Sequence, residues 1–467
     1  MLRAMATAPP LPAGPRLPGA IQTALWLTHS LGFLEDCRRR HGDLFTLRMA
    51  GFPPAVFACT PEAIRDIFAA DGDTLCAGAA RKPYFRPFFG DDALLTLDGA
   101  AHMARRRLML PAFHGERMHA YGETMARAAE RAIAEWPEGR PFALLPSFQR
   151  ITQDVILESV FGISDPARVE LFRARLMAFI QRGASPLLLI PGLQRDLGPL
   201  SPWGRVVRAG RQVDGLIHDE LAARRARPAS EQGSDVLAML LGARDEAGQP
   251  LDDQALRNEL VTQLVAGHDT TAAALSWLMT HLLENPAALE RAQAEALAAP
   301  ASAEALAALP FLDAAMRESL RLQPIISNVG RWIRRPVTIA GRPLPTKVSV
   351  SACIYLAHRD PGSWPEPARF LPERFLPAGK KVDPYTWLPF GGGTRRCIGM
   401  AFAMYELKVV AATMLRSGHF TLPARSDKRP RLRSITYQPA DRVTVVYRAL
   451  GGGRSRAVPA TKARVTL

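Results

Sequence analysis

Cys397 stands in a run suited to holding a sulfur in place: Phe390-Gly-Gly-Gly-Thr-Arg-Arg-Cys-Ile-Gly399, followed by the apolar Met400-Ala-Phe-Ala-Met-Tyr-Glu-Leu-Lys-Val-Val. A flexible glycine loop feeding a helix start brings the thiol to the positive end of the helix dipole. Arg395 and Arg396 lie beside it, and both influences favour the thiolate. The helix is expected to run to about Arg416, with Gly418 as its stop. A thiolate held by a backbone loop is a strong axial ligand for haem iron. Two plainer readings compete. One is a buried structural cysteine, the usual fate of a free Cys. The other is a phosphate loop, which fails because no Gly-Lys-Ser/Thr ends the run.

Three further segments carry polar chemistry on helical spacing. In Phe311-Leu-Asp-Ala-Ala-Met-Arg-Glu-Ser-Leu-Arg-Leu, Glu318 and Arg321 are three apart and share a face. On a solvated helix such a pair is weak. The stretch Leu256 to Leu283 reads as one long helix whose middle, Ala266-Gly267-His268-Asp269-Thr270-Thr271, is a polar island in an apolar background. A kinked helix with satisfied hydroxyls would explain that island equally well. In His102-Met-Ala-Arg-Arg-Arg-Leu-Met-Leu-Pro-Ala-Phe113, His102 and Arg106 are four apart, and both can donate to a carboxylate.

Phe390, Gly393, Arg395, Cys397 and Gly399 fit F-x-x-G-x-R-x-C-x-G, which resembles the haem-binding loop of the cytochrome P450 family. The resemblance extends over about residues 12 to 448, with all four segments in family order. It implies that Cys397 is the proximal ligand of haem b and that the following helix packs beneath the porphyrin. Glu318, Arg321 and the Arg374 of Phe370-Leu-Pro-Glu-Arg-Phe375 match the family's buried charge network, which would lock the Cys loop. Ala266 to Thr270 match the oxygen-binding helix. There Gly267 would leave room over the haem, Thr270 would hold a water or dioxygen by its hydroxyl, and Asp269 would feed protons from solvent. His268 has no such role and is read as facing another helix. His102, Arg106, Arg331 and Arg395 match propionate-binding positions. Family substrate-contact segments are Tyr84 to Phe89 with Phe85 and Phe88, Pro186 to Pro191, Ile325 to Val329 with Ile326, and Ser434 to Tyr437 with Ile435. Leu264 and Ala266 join them from the long helix.

The resemblance implies that these residues are positioned by a mainly α fold, with a large helical lobe, a small β-rich lobe and haem between two long helices. The chain has 467 residues, 48% hydrophobic and 22% charged, as expected of a globular protein. A Pro-rich arm over 1–19 precedes a P450-like body over 20–450 and a basic, disordered tail over 451–467. Helical periodicity dominates from about 20 to 330. Short strands are expected at Val337-Thr-Ile, Val348-Ser-Val and Val443 to Tyr447. Five cysteines without a CxxC pair fit a reducing compartment. With no signal peptide and no integral membrane anchor, the expected location is cytoplasmic.

The reaction implied is monooxygenation of an apolar fatty-acid, terpenoid, steroid or polyketide type of substrate by O2. Electrons would come from a ferredoxin with its reductase or from a flavodoxin-type donor. Alternatives are a peroxide-driven or isomerase-type haem-thiolate enzyme and a non-catalytic haem-thiolate binding protein. A net charge of +15 favours an acidic partner. Arg105, Arg107, Arg396 and Lys408 are the expected docking cations, and no nucleic acid is expected. Arg81, Lys82 and Arg86 either hold a carboxylate at the cavity mouth or form a solvated rim.

Overall fold

Residues Asp253–Glu284 form a single 32-residue helix, the central helix, roughly 48 Å long at 1.5 Å per residue. The Asp252 side chain caps it by accepting from the Ala255 N–H at 2.7 Å. Apart from Ala266, its leucines and alanines and Trp277 are buried on nearly every side, which marks a helix running through the core. In this computed structural model the described residues are 9–451, apart from 114–116, 184, 186–187, 189, 229–230, 232, 234, 245–247, 378, 380–381 and 424–426.

Around the central helix pack Leu144–Phe161, Pro202–Arg225, Pro310–Leu322 and Met400–Ser417. Met400–Ser417 ends where expected, at Gly418. Pro286–Ala298 and Ala303–Ala307 split the Ala-rich stretch at Pro300, because proline cannot continue a helix. One large apolar cluster fills this helical lobe, and two smaller clusters fill the sheet lobe. The mainly α fold with a small β lobe is therefore as expected. Among the described residues no helix is long and apolar enough to cross a membrane.

Within the region expected to be dominated by helix, before residue 330, the sheet lobe adds strands that the periodicity did not mark. Leu44–Leu47, Ala55–Ala58 and Leu75–Cys76 are strands. They join Val329–Ile333 and Ser349–Ala352 in a five-stranded sheet ordered Leu44–Leu47, Ala55–Ala58, Ser349–Ala352, Val329–Ile333, Leu75–Cys76. Ala55–Ala58 pairs parallel with Ser349–Ala352, and the other pairings are antiparallel. Two to four residues are too few for a period-2 pattern to stand out from helical surroundings. Thr444–Ala449, the expected late strand, pairs with Pro141–Ala143 and Gly418–Thr421. Val337–Ile339 forms a hairpin with Arg342–Leu344, and Pro430–Arg433 another with Thr436–Pro439. The proline-rich lead-in lies along the first strand, with Thr46 donating to the carbonyls of Pro12 and Ala13. A Cβ on Gly14 would collide with the Thr46 carbonyl at 1.9 Å, so only glycine permits that approach. The basic segment from Arg454 to Arg464 lies outside the described residues.

Candidate functional site

The Cys loop is closed by its own backbone. Cys397 N–H donates to the Phe390 carbonyl at 3.0 Å, Arg396 N–H to Gly393 at 3.2 Å, and Gly391 N–H to Leu388 at 2.9 Å. Gly391 and Gly393 adopt φ of 68° and 65°, a region costly for any residue with a Cβ. Thr394 Oγ1 donates to Asp71 at 3.2 Å, anchoring the loop to the sheet lobe. Gly399 caps the following helix, and its N–H bonds to the Cys397 sulfur. Cys397 is accessible, whereas the other four cysteines are buried. Yet burial is the main influence on its thiol, raising the pKa against the Gly399 N–H, Arg106 and Arg396. Accessible surface together with strong desolvation describes a thiol on the floor of an internal cleft. The expected thiolate stabilisation by Arg395 needs correction: Arg106 takes that place, because Arg395 turns away to Asp98.

On the central helix, Val265, Ala266, Asp269 and Thr270 open onto a cavity of about 480 Å³. Thr270 Oγ1 donates to the Ala266 carbonyl at 2.6 Å. The Asp269 carboxylate accepts from Gln149 at 3.1 Å, Gln438 at 3.0 Å and Thr436 at 3.2 Å. His268 faces Leu144–Phe161, as expected, where Thr152 and Gln153 contact its ring. Burial holds it neutral, with a pKa lowered to about 4. Gly267 corrects its expected role. A Cβ there would stand 2.6 Å from Ile156 Cδ1, so the glycine admits the neighbouring helix. Leu264 is also corrected. It is fully buried in the core, because one residue is about 100° of helix rotation and Val265 takes the cavity face. Ile325 is likewise core, with its carbonyl tied to Tyr437 N–H, while Ile326 and Val329 line the cavity. Phe85, Phe88 and Ile435 line it as expected.

Between cavity and Cys loop lies a cationic cluster. Arg331 is buried and pairs with both oxygens of Asp71. Arg395 pairs with Asp98 at 2.6 Å and donates to the carbonyls of Leu94 and Leu97. Arg81 and Arg106 have no hydrogen bond or ion pair among the described residues. His102 is buried, and burial, Arg395, Arg106, Arg81 and Arg331 push its pKa down to about 3. Burial and then Arg331 and Arg395 lower Arg81 to about 9. Four guanidiniums thus face two carboxylates, an excess of two positive charges. Sequence reasoning assigned Arg81 to the mouth, because no spacing links it to the other three. Lys82 and Arg86 are paired with exposed Asp91.

Behind the Cys loop, Glu318 and Arg321 are fully buried. Their two hydrogen bonds measure 2.7 and 2.9 Å. Arg374 Nε reaches Glu318 at 3.3 Å, and the Leu371 N–H donates to the same oxygen at 2.9 Å. Arg321 also donates to the carbonyls of His358, Pro367 and Arg369. His358 extends this network to the loop: one ring nitrogen meets the Arg321 carbonyl at 3.1 Å, and the other accepts from Leu388 N–H at 2.7 Å. Burial lowers the His358 pKa to about 3, so the ring is neutral and can bridge in this way.

A sequence profile of the family described as Cytochrome P450 matches residues 10–444. The chain belongs to the cytochrome P450 family. Cytochrome P450 135B1 of Mycobacterium tuberculosis is 39% identical over 435 residues, covering 92% of this chain and 89% of that relative. Cytochrome P450 138 of the same species is 35% identical over 95% of this chain and 98% of its own length. Among solved structures, retinoic-acid-bound cyanobacterial CYP120A1 superposes with a TM-score of 0.83 at 27% identity, over 95% of this chain and all of that one. P450s bind haem through a cysteine thiolate and are generally monooxygenases. Two of the expected P450 docking cations are otherwise engaged. Arg105 pairs with buried Glu259 at 2.9 Å, and Lys408 meets Asp313 at 3.5 Å. Arg396 is exposed beside Cys397.

Proposed function

We propose that this P450 is a haem-thiolate monooxygenase acting on a long or bulky, largely apolar substrate, with electrons delivered by a separate acidic protein. The reading is supported by an accessible Cys397 held in a closed glycine loop, by Thr270 and Asp269 on a cavity with apolar walls, and by a cluster with two surplus positive charges. Two is the charge of the haem propionates. Cys397 would hold the iron, and Arg81, His102, Arg106, Arg331 and Arg395 would hold the propionates. Bound haem supplies activation of dioxygen and the oxidising power. Phe390 lends its carbonyl to the Cys397 N–H, and the Gly399 N–H directs the sulfur lone pairs.

Thr270 would position a water or dioxygen by its hydroxyl, and Asp269 would pass protons inward from the side of Gln149, Gln438 and Thr436. Three neutral donors orient its carboxyl group at the cavity wall. Apolar walls from Phe52, Tyr84, Phe85, Phe88, Phe89 and Phe179 exclude water and suit an elongated ligand. The retinoic acid held by the cyanobacterial relative is of that build. Exposed Arg396 would help steer an acidic ferredoxin or flavodoxin-type donor, giving a rate that falls as salt rises.

The test is spectroscopic and kinetic. The reduced CO complex should carry the thiolate-type spectrum, and Cys397→His should abolish it while haem stays bound. Thr270→Ala and Asp269→Asn should lower product formed per reductant consumed with haem content unchanged. A thiolate spectrum surviving in Cys397→His refutes the ligand assignment, and normal coupling in both relay variants refutes the proton route.

A further inference from the structure

Three charged residues line the cavity among the described residues: Arg81, Asp269 and Arg433. Arg81 belongs to the cationic cluster, and Asp269 is occupied by three donors. Arg433 is different. It is half-buried, its carbonyl accepts from Thr436 Oγ1, and its guanidinium makes no hydrogen bond or ion pair among the described residues. A half-desolvated cation in an aromatic-walled cavity is unfavourable until an anion meets it. Asp269 does not fill that need, since it lies beyond ion-pair distance.

We propose that Arg433 binds the carboxylate of an apolar acid substrate. This rests on the monooxygenase reading above and names its substrate class. Arg433 ends the first strand of the hairpin Pro430–Arg433/Thr436–Pro439, opposite Thr436. That hairpin touches the N-terminal helix Gly19–His41 on one side and the central helix on the other. The guanidinium therefore belongs to the wall joining the Trp26 end of the cavity to Asp269. Its planar fork matches a carboxylate through two parallel N–H···O bonds. The other polar lining here is neutral, from Ser327, Asn328, Ser434 and Thr436, which favours a monoanion over a phosphate dianion.

The experiment uses holoprotein at pH 7.5 and head-group pairs with the same body: dodecanoic acid against dodecan-1-ol, and retinoic acid against retinol. Affinity is read by calorimetry and by the shift of the haem absorption band. The native chain should bind each acid about 10- to 100-fold more tightly than its alcohol, the range of a charge-assisted hydrogen bond. Arg433→Gln should erase that preference and leave alcohol affinity unchanged. Arg433→Lys should keep part of it, and Arg86→Gln should keep all of it. No acid preference in the native chain overturns the proposal, as does a preference that survives Arg433→Gln or an equal loss for acid and alcohol. The CO spectrum of the same samples reports separately on the haem-thiolate reading. A thiolate spectrum without head-group discrimination sinks the Arg433 assignment alone.

Discussion

Glu318→Gln removes one charge from the fully buried network behind the Cys loop and leaves its shape unchanged. Glu318 accepts from four groups: two Arg321 nitrogens, Arg374 Nε and Leu371 N–H. A glutamine offers one oxygen to those donors and turns an NH2 against the rest. Arg321 then becomes an uncompensated buried cation, a change that costs about 3–5 kcal/mol. Replacing both partners, as Glu318→Leu with Arg321→Met, often recovers such a loss. Here it should not, because the carbonyls of His358, Pro367 and Arg369 lose their donor. At about 1–3 kcal/mol for each orphaned group, the double variant stays at least ~3 kcal/mol below the native chain. Urea unfolding followed by far-UV circular dichroism gives the stabilities, and the CO spectrum reports on the loop. Leu388 should transmit the damage through His358, so the thiolate-type fraction should fall in both variants. A single variant within ~1 kcal/mol of native, or a double variant that recovers, would refute the reasoning.

Four further outcomes are expected. Burial lowers His268 to about 4 and His281 and His358 to about 3. The unfolded chain therefore binds protons that the folded chain does not, and stability should fall as pH drops from ~6.5 towards those values, at about 1.4 kcal/mol per unit per histidine. Burial raises Glu259 to about 7, against Arg105 and the Leu94 N–H. Its contribution has the opposite sign and is lost as pH rises through 7, so the deficit of Glu259→Gln in urea unfolding should shrink from pH 5 to pH 8. Gly267→Ala should destabilise by about 1–3 kcal/mol through overpacking on Ile156, and adding Ile156→Val, which deletes the clashing Cδ1, should restore most of it in the same assay. Arg81→Gln should speed haem loss to a scavenger protein roughly 10- to 100-fold, whereas an unchanged rate would remove Arg81 from the cationic cluster's work.

Motif-bearing residues were legible because covalent spacing alone brings them together. Cys397 and its glycines lie in one ten-residue loop, Glu318 and Arg321 on one helical turn, and Asp269 and Thr270 side by side. Their partners were not legible. Asp71 and Asp98 answer arginines some 260 and 300 positions away, and no local period marks such pairs. The same holds for Gln149 and Gln438 at Asp269, for Arg81 in the cationic cluster and for Arg433. Leu264 failed for a finer reason. Helix was the correct reading, but one residue of rotation separates a core side chain from a cavity side chain. The early strands failed because they are stabilised by pairing with residues 329–352 rather than by their own pattern.

The parallel pairing of Ala55–Ala58 with Ser349–Ala352 also imposes a timetable on synthesis. Roughly 290 residues separate the two strands, which is about 15–60 s of translation at 5–20 residues per second. Until then the Leu44–Ala58 hairpin presents an open edge, a hazard for association with other nascent chains. Ala55 and Phe57 on that hairpin and Ile435 near the other terminus wall the same cavity. Neither the ligand chamber nor the cation cluster containing Arg331 and Arg395 can close on a nascent chain still short of those residues. Cofactor capture is therefore expected to come late, after those residues have been synthesised. The yield of loaded protein in a cell should respond to chaperone supply and growth temperature as strongly as to haem supply.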